Sequence, residues 1–291
     1  MVGDWVVVEP GPMPSDPWSI LAVFPRRTII ARGAAGTGGG EQVLAANVDR
    51  VWIVHGLDMP LNSRRLERYL AVVWDSGATP EIVLTKGDLA EDMVATVTQV
   101  EAVAIGAPIR CVSSKDPGSV QDLRDSVAPG CTVALLGPSG VGKSTLVNLL
   151  AGETIAATGE VRAGDRKGRH TTVRRELFRI PGGALLLDTP GMRELRVGVL
   201  DEGLKEAFAD IEVFAESCRF RDCRHEGEPG CAVLEAVDQG NLDSGRLASF
   251  RKLQAEAAYE LRRADPRARA AAVSEWKTAI KTMKHHPKHK N

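Results

Sequence analysis

A glycine-rich segment of eight residues, Gly137 to Ser144, limits the possible folds more than any other feature. It has the pattern G-x-x-x-x-G-K-[ST] and lies between an apolar run at 132–136 and a predicted helix that begins at Lys143. Glycines let backbone N–H groups surround phosphate oxygens, and a helix N-terminus adds a partial positive charge. The segment predicts a phosphate-binding loop in which Lys143 reaches the β and γ phosphates and Ser144 ligates Mg²⁺. The predicted contacts are Gly137, Pro138, Ser139, Gly140, Val141, Gly142, Lys143, Ser144 and Thr145; a chance glycine-rich turn is the alternative.

The sequence on both sides of this loop indicates an α/β fold. From residue 46 to 203, apolar strands alternate with amphipathic helices, as in a mostly parallel sheet covered on both faces. Residues 1–45 contain two predicted strands, at 3–8 and 20–24, and a Gly-rich connector at 33–40. Residues 204–291 are rich in helix formers. We predict three regions: a β segment, a P-loop α/β domain and a small helical domain.

Two motifs that follow the phosphate loop predict the rest of the Mg²⁺ and γ-phosphate site. Asp188 follows the apolar run 184–187, so it would hold Mg²⁺ at the end of a strand, and the Gly191 N–H would contact the γ phosphate. The segment Gly168-Arg169-His170-Thr171-Thr172 precedes that strand, where a switch segment is expected. Thr171 or Thr172 is the predicted Mg²⁺ ligand. A common turn and an ordinary basic loop are the respective alternatives.

A motif that precedes the phosphate loop predicts a preference for guanine. Thr85-Lys86-Gly87-Asp88 ends another apolar run and resembles the [NT]KxD signature. The Asp88 carboxylate can accept hydrogen bonds from guanine N1–H and the 2-amino group, a pair that adenine cannot donate. Lys86 would lie along the base, and Thr85, in place of the commoner Asn, is expected to loosen loop bridging. Ser113 and Ser114 resemble the loop that meets guanine O6; for Asp88 the alternative is a helix N-cap.

A cysteine cluster and an uneven charge distribution mark the C-terminal region. Cys218, Cys223, His225 and Cys231 lie within 14 residues, which in a cytosolic chain favours a metal site over disulfides. Residues 246–291 contain 12 Lys and Arg against 4 Asp and Glu, a charge of +8, which leaves −9 for the rest of the chain. This basic segment predicts either an arm that meets a polyanion or a solvated helical tail.

The order of these motifs resembles that of circularly permuted GTPases. Together with G-R-H-T-T, D-T-P-G-M-R-E-L from Asp188 and C-x4-C-x-H-x5-C from Cys218, it resembles the ribosome small subunit-dependent GTPase A family from about residue 3 onwards. The resemblance implies an N-terminal OB-fold, here without its first strands, a permuted GTPase domain and a C-terminal zinc domain. It also implies one structural Zn²⁺ on the three thiolates and the imidazole, GTP and GDP as ligands, and the small ribosomal subunit with its rRNA as partner.

The motifs do not include a residue that orients the attacking water. Many GTPases have a Gln for this purpose just after the D-x-x-G motif, and Met192 occupies that position here. Our hypothesis is that His170 orients the attacking water when the ribosome orders the switch segment, with Lys143 and Thr172 completing the catalytic set. The alternative is a solvated loop histidine.

Two other functions are kept open: a P-loop ATPase or small-molecule kinase, which Asp88 argues against, and a non-catalytic RNA-binding module that holds a nucleotide. No apolar run approaches the roughly 20 residues of a membrane helix, and the first residues of the sequence lack a basic segment followed by an apolar stretch. A cytoplasmic monomer without membrane contacts is therefore expected.

Overall fold

Strands and helices alternate along most of the chain that the structure describes. The structure is a computed structural model and describes residues 1–13, 16–33, 41–155, 176–188, 200 and 202–264. The strands are β1 (Val6–Glu9), β2 (Ser19–Val23), β3 (Ile29–Gly33), β4 (Glu41–Ala46), β5 (Arg50–Gly56), β6 (Thr79–Thr85), β7 (Ile109–Cys111), β8 (Thr132–Leu136), β9 (Glu176–Arg179) and β10 (Leu185–Asp188). The helices are α1 (Ser63–Asp75), α2 (Met93–Glu101), α3 (Pro117–Asp125), α4 (Lys143–Ala151), α5 (Glu202–Ala207), α6 (Ala209–Ala215), α7 (Ala232–Asp238) and α8 (Ser244–Ala264).

The central sheet has six strands in the order β7-β6-β5-β8-β10-β9. All neighbours are parallel except β9, which runs antiparallel to β10. Alternate residues of β5 point to two separate hydrophobic cores: Val51 and Ile53 pack on the side of α1, and Trp52 and Val54 pack on the side of α3 and α4. This confirms the predicted α/β fold with a sheet covered on both faces.

The sheet order decides which loops meet. Because the carboxyl ends of parallel strands lie at one edge of a sheet, the loops that follow β6, β5 and β8 are neighbours there. The loop after β8 is the predicted phosphate loop, and the loop after β6 holds the predicted base-reading motif. Strand β5 lies between them, so the two motifs extend from the strands on either side of Gly56.

The N-terminal region contains two antiparallel pairs, β1–β2 and β3–β4, of which the second was not predicted. Ile30 and Leu44 of this second pair are buried in the core on the α1 side. The backbone N–H of Ile29 donates to the carbonyl of Ser76 just beyond α1. The Gly-rich segment therefore joins two paired strands, and residues 34–40 lie outside the described residues. The division of the chain at 45/46 and 203/204 stays a prediction.

The C-terminal region, which is rich in helix formers, begins with two short helices. These are α5 and α6, and they are interrupted at Phe208. Phe208 is fully buried, and the Arg246 guanidinium of α8 lies 4.7 Å above its ring. The side chain of Phe208 thus packs in the core, and the backbone forms a turn at this residue between α5 and α6.

A buried charge network joins α8 to α1 and α6. The side chain of Arg246 is 4 % exposed, and its Nε and Nη2 donate to the two carboxylate oxygens of Asp210 at 2.6 and 2.7 Å. Nη2 also donates to the carbonyl of Ala207, and Nη1 lies 3.3 Å from Oε1 of Glu67 on α1. Arg64 of α1 adds an ion pair with Asp243 at 2.9 Å.

Replacing Arg246 by Ala is expected to destabilise the protein by about 1.5–3 kcal/mol, because Asp210 loses two charge-assisted hydrogen bonds and the buried Glu67 keeps only Arg64 as its cation. Urea unfolding followed by circular dichroism measures this loss. The control is Arg262→Ala, since Arg262 is exposed near the end of the same helix. A change of less than about 1 kcal/mol, the range of surface ion pairs, would contradict a buried structural role for Arg246.

No helix within the described residues has both the length and the apolar character needed to cross a bilayer.

Candidate functional site

The loop after β8 has the geometry of a phosphate cradle. At Gly137 the backbone φ is +153°, and a Cβ there would lie 2.4 Å from the carbonyl oxygen of Val54, so only glycine fits. Val141 is fully buried and anchors the loop, while Ser139 and Gly140 are exposed at its rim. The Lys143 Nζ donates to the carbonyls of Gly137 and Pro138 at 2.7 and 2.5 Å. The loop thus holds an ammonium group within its curve, at the N-terminus of α4.

The remaining predicted phosphate and Mg²⁺ residues are described to different extents. Ser144 and Thr145 occupy the first turn of α4, with Ser144 partly buried and Thr145 exposed. Asp188 ends β10, which pairs in parallel with β8, so its backbone lies at the same sheet edge as the phosphate loop. Its side chain is outside what the structure describes. His170, Thr171, Thr172 and Gly191 all lie outside the described residues.

The loop after β6 presents the predicted base-reading carboxylate. One oxygen of Asp88 accepts a hydrogen bond from Ser113 Oγ at 2.7 Å, and the other lies 2.7 Å from the Lys115 ammonium. Lys115, and after it the Ser113 hydroxyl, lower the pKa of Asp88, which is therefore ionised near neutral pH. Ser114 is exposed beside them. Asp88 does not cap a helix: the next helix, α2, is capped by Asp92, whose carboxylate accepts from the N–H of Ala95.

Thr85 links the two motifs directly. Its hydroxyl donates to the carbonyl of Val141 in the phosphate loop at 2.5 Å. Thr85 therefore bridges the two loops through its hydroxyl, and the expected loosening relative to Asn stays a prediction. The side chain is buried, so this bond is shielded from water.

Replacing Thr85 by Val keeps the branched shape and removes the hydroxyl, so the Val141 carbonyl loses a buried partner. We expect a loss of about 1–2 kcal/mol in unfolding free energy and a weaker affinity for GDP, because the two loops lose their direct link. Thr85→Asn is the matched variant and should retain most of the affinity, since an amide can also donate. Equal GDP affinity in the Val and Asn variants would argue against the bridge.

The four predicted metal ligands form one cluster. The ligand atoms of Cys218, Cys223, His225 and Cys231 all lie within 4.8 Å of one another. His225 Nδ1 lies 3.6 Å from Cys218 Sγ and 3.4 Å from Cys231 Sγ, and the two sulfurs are 3.9 Å apart. Tetrahedral Zn²⁺ with Zn–S bonds of about 2.3 Å and a Zn–N bond of about 2.0 Å separates its ligand atoms by roughly 3.5–3.8 Å. The arrangement therefore suits zinc.

Burial and close packing change the pKa values of these thiols. Burial, followed by the neighbouring Cys231 and Cys218, raises the pKa of Cys223 to about 12. Burial opposes ionisation of Cys218 too, but hydrogen bonds from the N–H groups of Val233 and Ala232 lower its pKa overall. Metal ligation needs the cysteines as thiolates, and a Zn²⁺ bound between them would offset their mutual repulsion. His225 has a left-handed backbone, with φ of +60°, and this strained conformation directs its ring into the cluster.

The comparisons with known proteins agree with this arrangement. A family model described as RsgA GTPase matches residues 23–198. The chain belongs to the RsgA GTPase family. A small ribosomal subunit biogenesis GTPase RsgA from Methanosarcina acetivorans is 46% identical over 265 residues, which are 91% of this chain and 72% of that protein. As a member of the RsgA family, the protein is a GTP hydrolase.

Solved structures of related proteins confirm the fold. The crystal structure of YjeQ from Thermotoga maritima aligns with a TM-score of 0.62 at 26% identity, over 88% of this chain and 84% of that one. YloQ, which is described as a circularly permuted GTPase, aligns with the same TM-score and identity over 88% of this chain and 80% of that one. In the present chain, too, the base-reading motif precedes the phosphate loop in sequence. The predicted circularly permuted GTPase fold is thus confirmed.

Two charged residues that contact the predicted base-reading motif were not themselves predicted to bind the nucleotide. Asp58 accepts a hydrogen bond from the Lys86 ammonium at 2.6 Å, and Lys115 pairs with Asp88. Lys115 directly follows the two predicted serines, so its position in the sequence could have indicated that it lies near Asp88. Asp58 lies in a loop with no motif of its own, and only the sheet order shows that this loop is next to the base-reading motif.

Proposed function

We propose that this GTPase binds guanine nucleotides through the two loops joined by Thr85 and acts in the maturation of the small ribosomal subunit. The observation that carries the first part is the hydrogen bond from Thr85 to Val141, which joins the base-reading and phosphate loops at one edge of the sheet. In this proposal, Asp88 selects guanine, residues 137–145 hold the phosphates, and Lys143 neutralises charge on the β and γ phosphates.

The proposed magnesium site uses Ser144, Asp188 and one of Thr171 and Thr172. Ser144 lies in the first turn of α4, and the backbone of Asp188 lies on the strand next to β8; both facts support this set. Mg²⁺ would neutralise charge that develops on the phosphates during hydrolysis. His170 is the proposed group that orients the attacking water. Gly191 would contact the γ phosphate.

The proposed zinc site is structural. Three thiolates and one imidazole fill a tetrahedral shell and leave no position for a substrate. Cys231 is the residue that precedes α7, and Cys218 lies just beyond α6, so one ion would join the ends of two short helices. The Zn²⁺ would thus order the C-terminal region.

The proposed partner is the small ribosomal subunit with its rRNA. Support comes from the function stated in the names of the relatives and from the basic segment 246–291, whose charge of +8 suits rRNA phosphates. We propose that the protein acts as a cytoplasmic monomer that binds the subunit late in its assembly, and that the subunit stimulates GTP hydrolysis.

The test is phosphate release from GTP with and without purified small ribosomal subunits. We expect faster hydrolysis with subunits present, and a loss of that stimulation in His170→Ala. Large subunits at the same concentration are the control for nonspecific rRNA binding. A rate that does not change with small subunits would refute the proposed partner, whereas equal stimulated rates for His170→Ala and the parent would refute only the role of His170.

A further inference from the structure

The loop after β5 holds a carboxylate that neither the motifs nor the family name assigns to the nucleotide site. Asp58 lies two residues beyond Gly56, the last residue of β5. Its Oδ2 accepts a hydrogen bond from the Lys86 ammonium at 2.6 Å. The same ammonium donates to the carbonyl of Gly140 in the phosphate loop at 2.9 Å. Lys86 therefore bridges the loop after β5 and the loop after β8.

The backbone around Asp58 is built to direct this carboxylate towards Lys86. The N–H of Leu57 donates to the carbonyl of Thr85 at 2.9 Å, which fixes the loop against the end of β6. A Cβ on Gly56 would lie 2.5 Å from Oδ1 of Asp58, so the carboxylate occupies space that any larger residue at 56 would take. Lys86 itself has a left-handed backbone, with φ of +60°. A non-glycine residue in this conformation is held there by its surroundings.

From this geometry we propose that Asp58 is a positioning residue for the base-reading motif. It holds the Lys86 ammonium against Gly140, and so sets the spacing between the base-reading loop and the phosphate loop before a nucleotide enters. The side chains of Lys86 and Asp58 are 29 % and 31 % exposed, so the pair is partly shielded from solvent. This proposal rests on the assignment of Lys86 and Asp88 to the guanine site.

The role of Asp58 predicts an effect on binding and not on the chemical step. Neutralising Asp58 leaves Lys86 with the Gly140 carbonyl alone, and the flexible lysine stem then samples other positions. We expect Asp58→Asn to raise the Kd for GDP and the KM for GTP about 5- to 10-fold. We expect kcat to stay within about two-fold, because the geometry places Asp58 at the base end of the site and away from the γ phosphate.

Gly56→Ala is an independent test that leaves the charge of Asp58 in place. The added Cβ meets the mobile end of the Asp58 side chain, so the fold can adapt while the carboxylate moves away from Lys86. This variant should raise the Kd for GDP as Asp58→Asn does. Asp238→Asn is the charge-matched control, since Asp238 is exposed at the end of α7.

The deciding experiment is a double-mutant cycle with Lys86→Met, read by titration with fluorescent GDP and checked by thermal unfolding of each variant. If Asp58 acts through Lys86, Asp58→Asn will not weaken binding further in the Lys86→Met background. The same loss in both backgrounds, or no loss from Asp58→Asn in the parent, overturns the proposal. If the parent chain fails to bind GDP, the guanine-site assignment fails instead, so the two failures are distinct.

Discussion

Asp88→Asn is expected to lower the affinity for GTP and GDP by about 10²- to 10⁴-fold. The asparagine amide can accept only one of the two guanine hydrogen bonds, and its NH₂ group would face the other guanine N–H donor. The same change should create affinity for xanthosine nucleotides, whose base carries a carbonyl where guanine carries the 2-amino group. Competition of GDP, XDP and ADP against a fluorescent nucleotide measures both effects. ADP should remain a poor competitor in the parent and in the variant.

The matched control for Asp88 is Asp92→Asn, which removes a carboxylate four residues away. Asp92 caps α2 by accepting from the N–H of Ala95, and an asparagine caps a helix equally well. This variant should bind GDP as the parent does. If Asp88→Asn bound GDP as tightly as Asp92→Asn does, Asp88 would not be the residue that reads the base.

Cys231→Ser is expected to abolish zinc binding and to unfold the C-terminal helices. Cys231 is buried, and its sulfur lies within 4 Å of both Cys218 Sγ and His225 Nδ1. Structural zinc contributes an apparent free energy of about 10–16 kcal/mol in zinc-finger peptides. Since a whole domain is stable by only about 5–15 kcal/mol, the loss of a contribution of similar size should unfold the region around the cluster. Metal analysis and circular dichroism measure the two outcomes.

Cys111→Ser provides the control for the zinc site, because Cys111 lies on β7 outside the cluster. It should retain one zinc per chain. Treatment of the parent with a strong chelator should reproduce the loss of helix seen in Cys231→Ser. A parent protein that contains no zinc and keeps its helices in the chelator would disprove a structural metal site.

Features that depend on neighbouring residues in the sequence were predictable. The phosphate loop, the cysteine cluster and β8 follow from local patterns, and the structure has β8 and the start of α4 at the predicted residues. The base-reading loop was also predictable, because its motif directly follows an apolar strand. In each case the chemistry needs several residue types at fixed spacing, which the sequence displays.

Features that depend on tertiary packing were not predictable. The pair β3–β4 has a weak pattern of its own, and its strands are stabilised by burial of Ile30 and Leu44 against α1. The break at Phe208 depends on the core site that its ring occupies below Arg246. Likewise, Asp58 and Lys86 are 28 positions apart and meet only because β5 and β6 are neighbours. No local sequence motif indicates the strand order that brings these two residues together.

The order of the motifs along the chain also sets the order in which the proposed site is made during translation. Synthesis starts at the N-terminus, so β5, β6 and β7 are made before residues 132–151 have been added. At that stage neighbouring parallel strands already carry Asp58, Lys86 and Asp88, while every phosphate-binding group is still missing. If the proposed site is correct, a nascent chain cannot retain a guanine nucleotide until β8 has joined the free side of β5.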